Sequence, residues 1–167
     1  MHALVYVLEN TGDANRESVE DLTILNELPY ADYTEEVPLQ EQHFTRLAEF
    51  LEKHFGKENM SVCQESRSIT INRTGIIRYF NWLRAQIYDS GKLAMDKPIE
   101  NFIHLRGETD WYAIKTLIDD PFDMQFYMDG YGCGSMTVFA HNLFVQIGYE
   151  QTDDLTLELT QVFDYHY

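Results

Sequence analysis

The spacing of apolar residues changes along this chain, and that change restricts the fold more than any short motif does. Residues 2–8, HALVYVL, are an unbroken apolar, β-rich run and predict a buried strand. Further on the period is helical. Phe44, Leu47, Ala48, Leu51 and Phe55 fall at i, i+3, i+4, i+7 and i+11, predicting a helix over 39–55 that Gly56 ends. Ile76, Phe80, Leu83 and Ile87 predict a second helix from about Thr74 to Gly91. Asp96-Lys97-Pro98 has the form of a helix start, with Ile99, Phe102 and Ile103 behind it and Gly107 closing it. Thr109 can cap a further helix through Ile118, with Trp111, Ile114 and Leu117 inward and Pro121 as its stop. After Pro121 the period drops to two. Met124–Met128, Met136–Ala140, Leu143–Gly148 and Leu155–Phe163 then predict four strands of an antiparallel meander.

The connecting stretches are less decided. Ser18 and Asp21 match the S-x-x-[DE] capping box ahead of Val19, Leu22, Leu25 and Leu28, which suggests a short helix stopped by Pro29. The DLTIL segment reads equally as a strand. Residues 29–38, between two prolines, read as loop or edge strand. Residues 60–72 alternate around Met60, Val62, Ile69 and Ile71, as two short strands or one bent one. The expected fold is therefore α+β. Residues 1–167 form a single domain, a largely antiparallel sheet with three to five helices packed on one face.

Charge is the second constraint. The formal net charge is −16, from 28 acids and 12 bases. Residues 1–65 hold 14 acids and 4 bases, residues 66–117 hold 5 acids and 8 bases, and residues 118–167 hold 9 acids and no base. The acids are spaced by apolar and aromatic residues, as on a folded surface rather than an acidic tail. Solubility alone calls for a net charge of roughly 2–8 in magnitude for a small domain. The excess points to a strongly positive partner. It also argues against direct contact with nucleic acid, where phosphates need clustered Lys and Arg. Two cysteines, Cys63 and Cys133, cannot build a disulfide framework and suit a reducing, cytoplasmic setting. The start MHALVYVLENTG lacks the basic n-region of a signal peptide, and no apolar run is long enough to span a bilayer.

Candidate chemistry is sparse. Cys133 lies in Tyr131-Gly132-Cys133-Gly134-Ser135, where a thiol nucleophile with His141 as base across a hairpin is conceivable. A plain glycine-rich turn is the simpler reading, and nearby acids would raise the thiol pKa. The six histidines include no H-x-x-x-H pair, and there is no C-x-x-C. His43 and His54 share a helix face but stand roughly 16 Å apart, too far to share an ion. Asp119, Asp120, Asp123 and Asp129 lack the calcium-loop pattern of an EF-hand, and Asp119 and Asp120 sit at the wrong helix end for the dipole. The glycines at 130, 132 and 134 do not form a phosphate loop. No metal or cofactor is expected.

The expectation is a non-catalytic acidic binding protein whose carboxylates imitate nucleic-acid charge and block the basic channel of a nucleic-acid-binding enzyme. Anti-restriction, anti-CRISPR and nuclease-immunity inhibitors act this way as a class. The residues expected to meet the partner are Asp119, Asp120, Asp123, Asp129, Asp153, Asp154 and Glu158, with Glu35 and Glu36 as a second patch. Aromatics interleaved with them, such as Phe126, Tyr127 and Tyr131, serve either the core or that interface. Two alternatives stay open. One is an assembly protein in which Arg73, Arg78 and Arg84 of one copy meet the acidic segments of another. The other is an enzyme using Cys133 and His141.

Overall fold

The computed structural model describes residues 2–12, 18–28, 31–95, 118 and 124–166. The two helices expected over 96–107 and 109–118 fall outside them except for Ile118, which is helical. The described elements are β1 (His2–Asn10), α1 (Asp21–Glu27), β2 (Tyr33–Glu36), α2 (Glu41–Phe55), a 3-10 turn (Lys57–Asn59), β3 (Met60–Cys63), β4 (Ser68–Asn72), α3 (Arg73–Met95), β5 (Gln125–Met128), β6 (Gly132–Gly134), α4 (Met136–Glu150) and β7 (Asp154–His166). The architecture is α+β, with four helices on a seven-stranded, mostly antiparallel sheet.

The strands run in the order β3-β4-β7-β1-β5-β6. The 13-residue strand β7 organises the sheet. One of its edges pairs with β1 along nearly its whole length. Its other edge is shared end to end: β4 takes residues 154–158 and β2 takes residues 163–166. β1 also pairs with β5 in parallel, so it has partners on both sides, and Val5, Tyr6, Val7 and Leu8 are all buried. A strand buried on both faces reads as a continuous apolar run, as residues 2–8 do.

The helices are not all on one face, contrary to the expectation. α2, α3 and α4 cover one side. There Phe44, Leu47, Leu51 and Phe55 of α2, Ile76, Tyr79 and Leu83 of α3, and Phe139, Leu143 and Ile147 of α4 meet Tyr6, Leu8, Phe126, Leu155 and Leu157. The short helix α1 lies on the other side, where Ile24 and Leu28 pack on Val5, Val7, Tyr127, Phe163 and Tyr165. α1 starts at Asp21 behind Glu20, without a side-chain cap, so the Ser18 box is not used. The Val19 amide instead donates to the Gln161 side chain at 2.9 Å.

Two further boundaries differ from the sequence reading. α3 runs through Gly91 to Met95, and a glycine inside a helix costs only about 1 kcal/mol. The larger correction is α4. Residues 136–150, expected as two strands, are one helix. Met136, Phe139, Ala140, Leu143 and Ile147 supply its buried stripe. Val138, Phe144 and Val145 on its outer side hid that stripe from view. The meander is therefore absent: β5 joins β6 in a hairpin, and β7 returns to β1. Gly134 permits the sharp entry into α4, because a Cβ there would come within 2.6 Å of the Val138 side chain.

β7 carries a bulge opposite Val7 and Leu8. Leu8 pairs with Leu159 while Val7 pairs with Gln161, leaving Thr160 as the extra residue. One extra residue inverts which side chains face which side. Leu155, Leu157 and Leu159 face the three helices; beyond the bulge Val162 does so, while Phe163 and Tyr165 face α1.

Candidate functional site: an acidic open face and a histidine–aspartate cluster

The strands β4, β7 and β1 bury alternate residues against α2–α4 and turn the others outward. At the β4 end the outward set is polar. Ser68, Glu158 and Glu9 form one row across three strands, since Ser68 and Glu9 are the two ladder partners of Glu158. The next row holds Thr70 and Thr156, whose hydroxyls are 2.8 Å apart, and the next holds Asn72 and Asp154. Exposed Ser61 and Cys63 of β3 extend the patch. Among the described residues, α1 does not reach this end; its apolar contacts lie at the β2, β5 and β6 end. A polar cleft of about 200 Å³ lined by Ser61, Thr70, Asn72 and Asp154 opens beside it. Like charges directly opposite in a ladder are destabilising, and Glu9 faces Glu158 there. Thr160 eases this by donating to Glu9 Oε1 at 3.0 Å.

Among the described residues, positive charge lies elsewhere. α2, the 3-10 turn and α3 carry seven of the eight described Lys and Arg residues beside five acids; the rest of the described chain carries Arg67 and 14 acids. Among the described residues, charge is thus divided between the three-helix layer and the rest.

Of the expected interface acids, Asp154 and Glu158 share the open face, with exposed Asp153 at its edge. Asp129 is exposed in the β5–β6 turn, well away in the sheet order. Glu35 and Glu36 are exposed on β2, at the opposite end of β7. Asp119, Asp120 and Asp123 lie outside the described residues. Glu9 belongs to the patch and was missed. Its sign in the sequence is slight: it continues the odd-numbered positions Val5 and Val7 along β1.

Cys133, expected in a glycine-rich turn, lies instead on a strand that follows the turn at residues 129–131. It sits on β6 between Gly132 and Gly134 and packs on the α1-side cluster. Burial, and then the nearby Glu27 carboxylate, push its thiol up to about 12. The hairpin that was to bring His141 across does not form, because His141 is exposed on α4. Cys63 is the opposite case. It is exposed, and hydrogen bonding with Ser66 lowers its pKa.

The arginines are divided in role. Arg78 pairs with Glu58 at 2.7 Å. The Arg73 guanidinium lies 5.1 Å over the Phe144 ring. Arg84 lines an apolar groove with Ile77, Phe80 and Phe144 between α3 and α4.

On the side covered by α2, α3 and α4, the far end of the sheet assembles a cluster that no sequence spacing announces. His2, Asp164 and His166 come together from the two ends of the chain. His2 Nδ1 donates to Asp164 Oδ2 at 2.9 Å, and His166 Nε2 lies 3.8 Å from the same oxygen. The Tyr33 hydroxyl hydrogen-bonds His166 Nε2 at 2.8 Å, with the two rings stacked 4.2 Å apart. Beside the cluster is a cleft of about 330 Å³ lined by His2, Leu4, Tyr6, Arg46, Met124 and Asp164. Burial raises the Tyr6 phenol pKa, which Arg46 partly offsets.

Comparison with protein-family models, curated proteins and solved structures found no match. The functional reading rests on this geometry.

Proposed function

We propose that this protein is a non-catalytic acidic binder that occupies the basic channel of a nucleic-acid-binding enzyme. The observation that carries the reading is the open face of β4, β7 and β1. It sets Glu9, Glu158 and Asp154 on a rigid sheet with hydroxyl and amide groups between them. Duplex DNA presents one charge per about 1.7 Å of axis. Two carboxylates opposite one another, and a third about 13 Å along the same strand, imitate part of that density on a fixed frame. Cationic side chains of a partner are complementary to these carboxylates. Ser68, Thr70 and Thr156 are then available to hydrogen-bond the partner's guanidinium and ammonium groups.

The test is capture of partners on the immobilised protein at low salt, followed by elution with duplex DNA. The expected result is a nucleic-acid enzyme that DNA displaces, that high salt releases, and whose activity the protein inhibits. Replacing Asp153, Asp154 and Glu158 together by Lys should slow association at least about tenfold at low salt. A captured partner that DNA does not displace, or that binds the triple variant as fast as wild type, refutes the reading.

Self-assembly is the second reading. It is favoured by the exposed Ile77, Phe144, Val145 and Tyr149 on α3 and α4 beside Arg84. It predicts a native mass of two or more chains in light scattering, falling to one chain in Phe144→Glu.

A further inference from the structure

We propose that His2, Asp164 and His166 form a binding site for one divalent transition-metal ion, open toward the cleft of Tyr6 and Arg46. The donor set is two imidazoles and one carboxylate. Three such ligands with free positions are the arrangement of catalytic zinc and mononuclear non-haem iron sites rather than of closed structural ones.

The distances suit a shared ion. Ligand atoms at about 2.0–2.1 Å from a tetrahedral metal lie about 3.3 Å from one another. Here the separations are 2.9 Å and 3.8 Å to the Asp164 oxygen, and all three ligand atoms fall within 4.8 Å of one another. Small side-chain rotations bring them onto one ion. The proton that His2 Nδ1 now gives to Asp164 is the one the metal replaces. Binding also displaces the Tyr33 hydroxyl from His166 Nε2, leaving that oxygen beside the ion.

Three observations separate this cluster from a chance meeting of surface residues. The first is backbone register. His2 pairs directly with His166, and Leu4 with Asp164. These pairings put all three donors on one face only because the bulge at Thr160 inverts the second half of β7. Without it Asp164 and His166 would face α1, away from His2. The second is the Tyr6 hydroxyl. Tyr6 is fully buried, lines the cleft, and has no hydrogen-bond partner among the described residues. A buried hydroxyl left unpaired is unfavourable, and a polar ligand entering the cleft would supply the missing partner. The third is Asp164 Oδ1, also buried and unpaired among the described residues. A carboxylate with one oxygen so placed gains from a cation close by. Glu35, across the ladder from Asp164, adds negative potential at the mouth.

The experiment uses the full chain, free of any polyhistidine tag and stripped with a chelator. It is titrated with Co²⁺ followed by visible absorption, and with Zn²⁺ by calorimetry. The expected result is saturation at one equivalent, with d–d bands of a nitrogen- and oxygen-ligated ion that Zn²⁺ abolishes. No thiolate-to-cobalt charge-transfer band should appear, which separates this site from Cys63. His2→Ala, Asp164→Asn and His166→Ala should each weaken Zn²⁺ binding at least tenfold, while His43→Ala leaves it unchanged. Absence of one-equivalent binding by wild type overturns the proposal, as does a thiolate band. So does binding that survives Asp164→Asn and His166→Ala. Because the wild-type spectrum is read independently of the variants, a variant that fails to fold does not shield the proposal.

Discussion

The two faces of the sheet are built to different standards. The face under α2, α3 and α4 is closed by three helices whose apolar stripes interlock with Tyr6, Phe126 and Leu157. The other is closed at one end by the two turns of α1 and left polar at the other. The closed face holds most of the described buried core and nearly all the described positive charge. Only the polar end of the other face, with Ser68, Thr70, Thr156 and Glu158, lies outside both core clusters. Acids can collect there at little cost to folding.

The comparison can be broken by single substitutions. The largest effect is expected on the closed side. Leu51→Ala and Leu143→Ala, both at fully buried positions, should each lose about 2–5 kcal/mol in urea unfolding. Ile24→Ala, equally buried but on α1, should lose less than about 2 kcal/mol globally. A seven-residue helix can detach before the sheet unfolds. Its amides should exchange with solvent much faster than those of α2 and α4. Equal losses on both sides, with uniform exchange, would erase the distinction drawn here.

A middling effect belongs to the half-buried thiol on the α1 side. Cys133 has its pKa raised from an ordinary 9.0 to about 12. Between those pH values the unfolded thiol ionises while the folded one keeps its proton, so stability falls as pH rises. Cys133→Ser should flatten this alkaline decline, and any binding activity should stay within about twofold because the thiol keeps its proton at neutral pH. The raised phenols of Tyr6 and Tyr127 leave a residual slope of the same sign. In the native protein Cys63 should react with a thiol reagent at neutral pH and Cys133 should not.

The smallest effect is expected on the open face. The Lys triple variant at Asp153, Asp154 and Glu158 should change unfolding free energy by no more than about 1 kcal/mol, although it slows partner association. A large change in stability would mean that these acids serve the fold rather than a partner.

Two helices show how far the amino-acid order could be read. α2 and α4 bury stripes with identical spacing: Phe44, Leu47, Ala48, Leu51 and Phe55 in one, Met136, Phe139, Ala140, Leu143 and Ile147 in the other. In α2 the remaining positions are charged or polar apart from Phe50, and the stripe stands out. In α4 they include Val138, Phe144 and Val145, and short stretches look like strands. Periodicity reveals a helix only when the opposite side is polar. The candidate sites were legible to different degrees for a related reason. That residues 118–167 hold no base is visible in composition, but which acids share a surface depends on strand pairing.

The sequence by itself determined the class of fold, the central strand β1, the helix α2 and the segregation of charge along the chain. These are local or additive properties: a residue's hydrophobicity, its neighbours three or four places away, and a count of charges. Only the tertiary structure decided that α1 lies across the sheet from the other helices. It alone made Glu9 the neighbour of Glu158, and it brought His2, Asp164 and His166 to one face. Each of these depends on register between segments distant in sequence. The extra residue at Thr160 shows how sensitive that register is, since a single inserted position turns every later side chain of β7 to the opposite side.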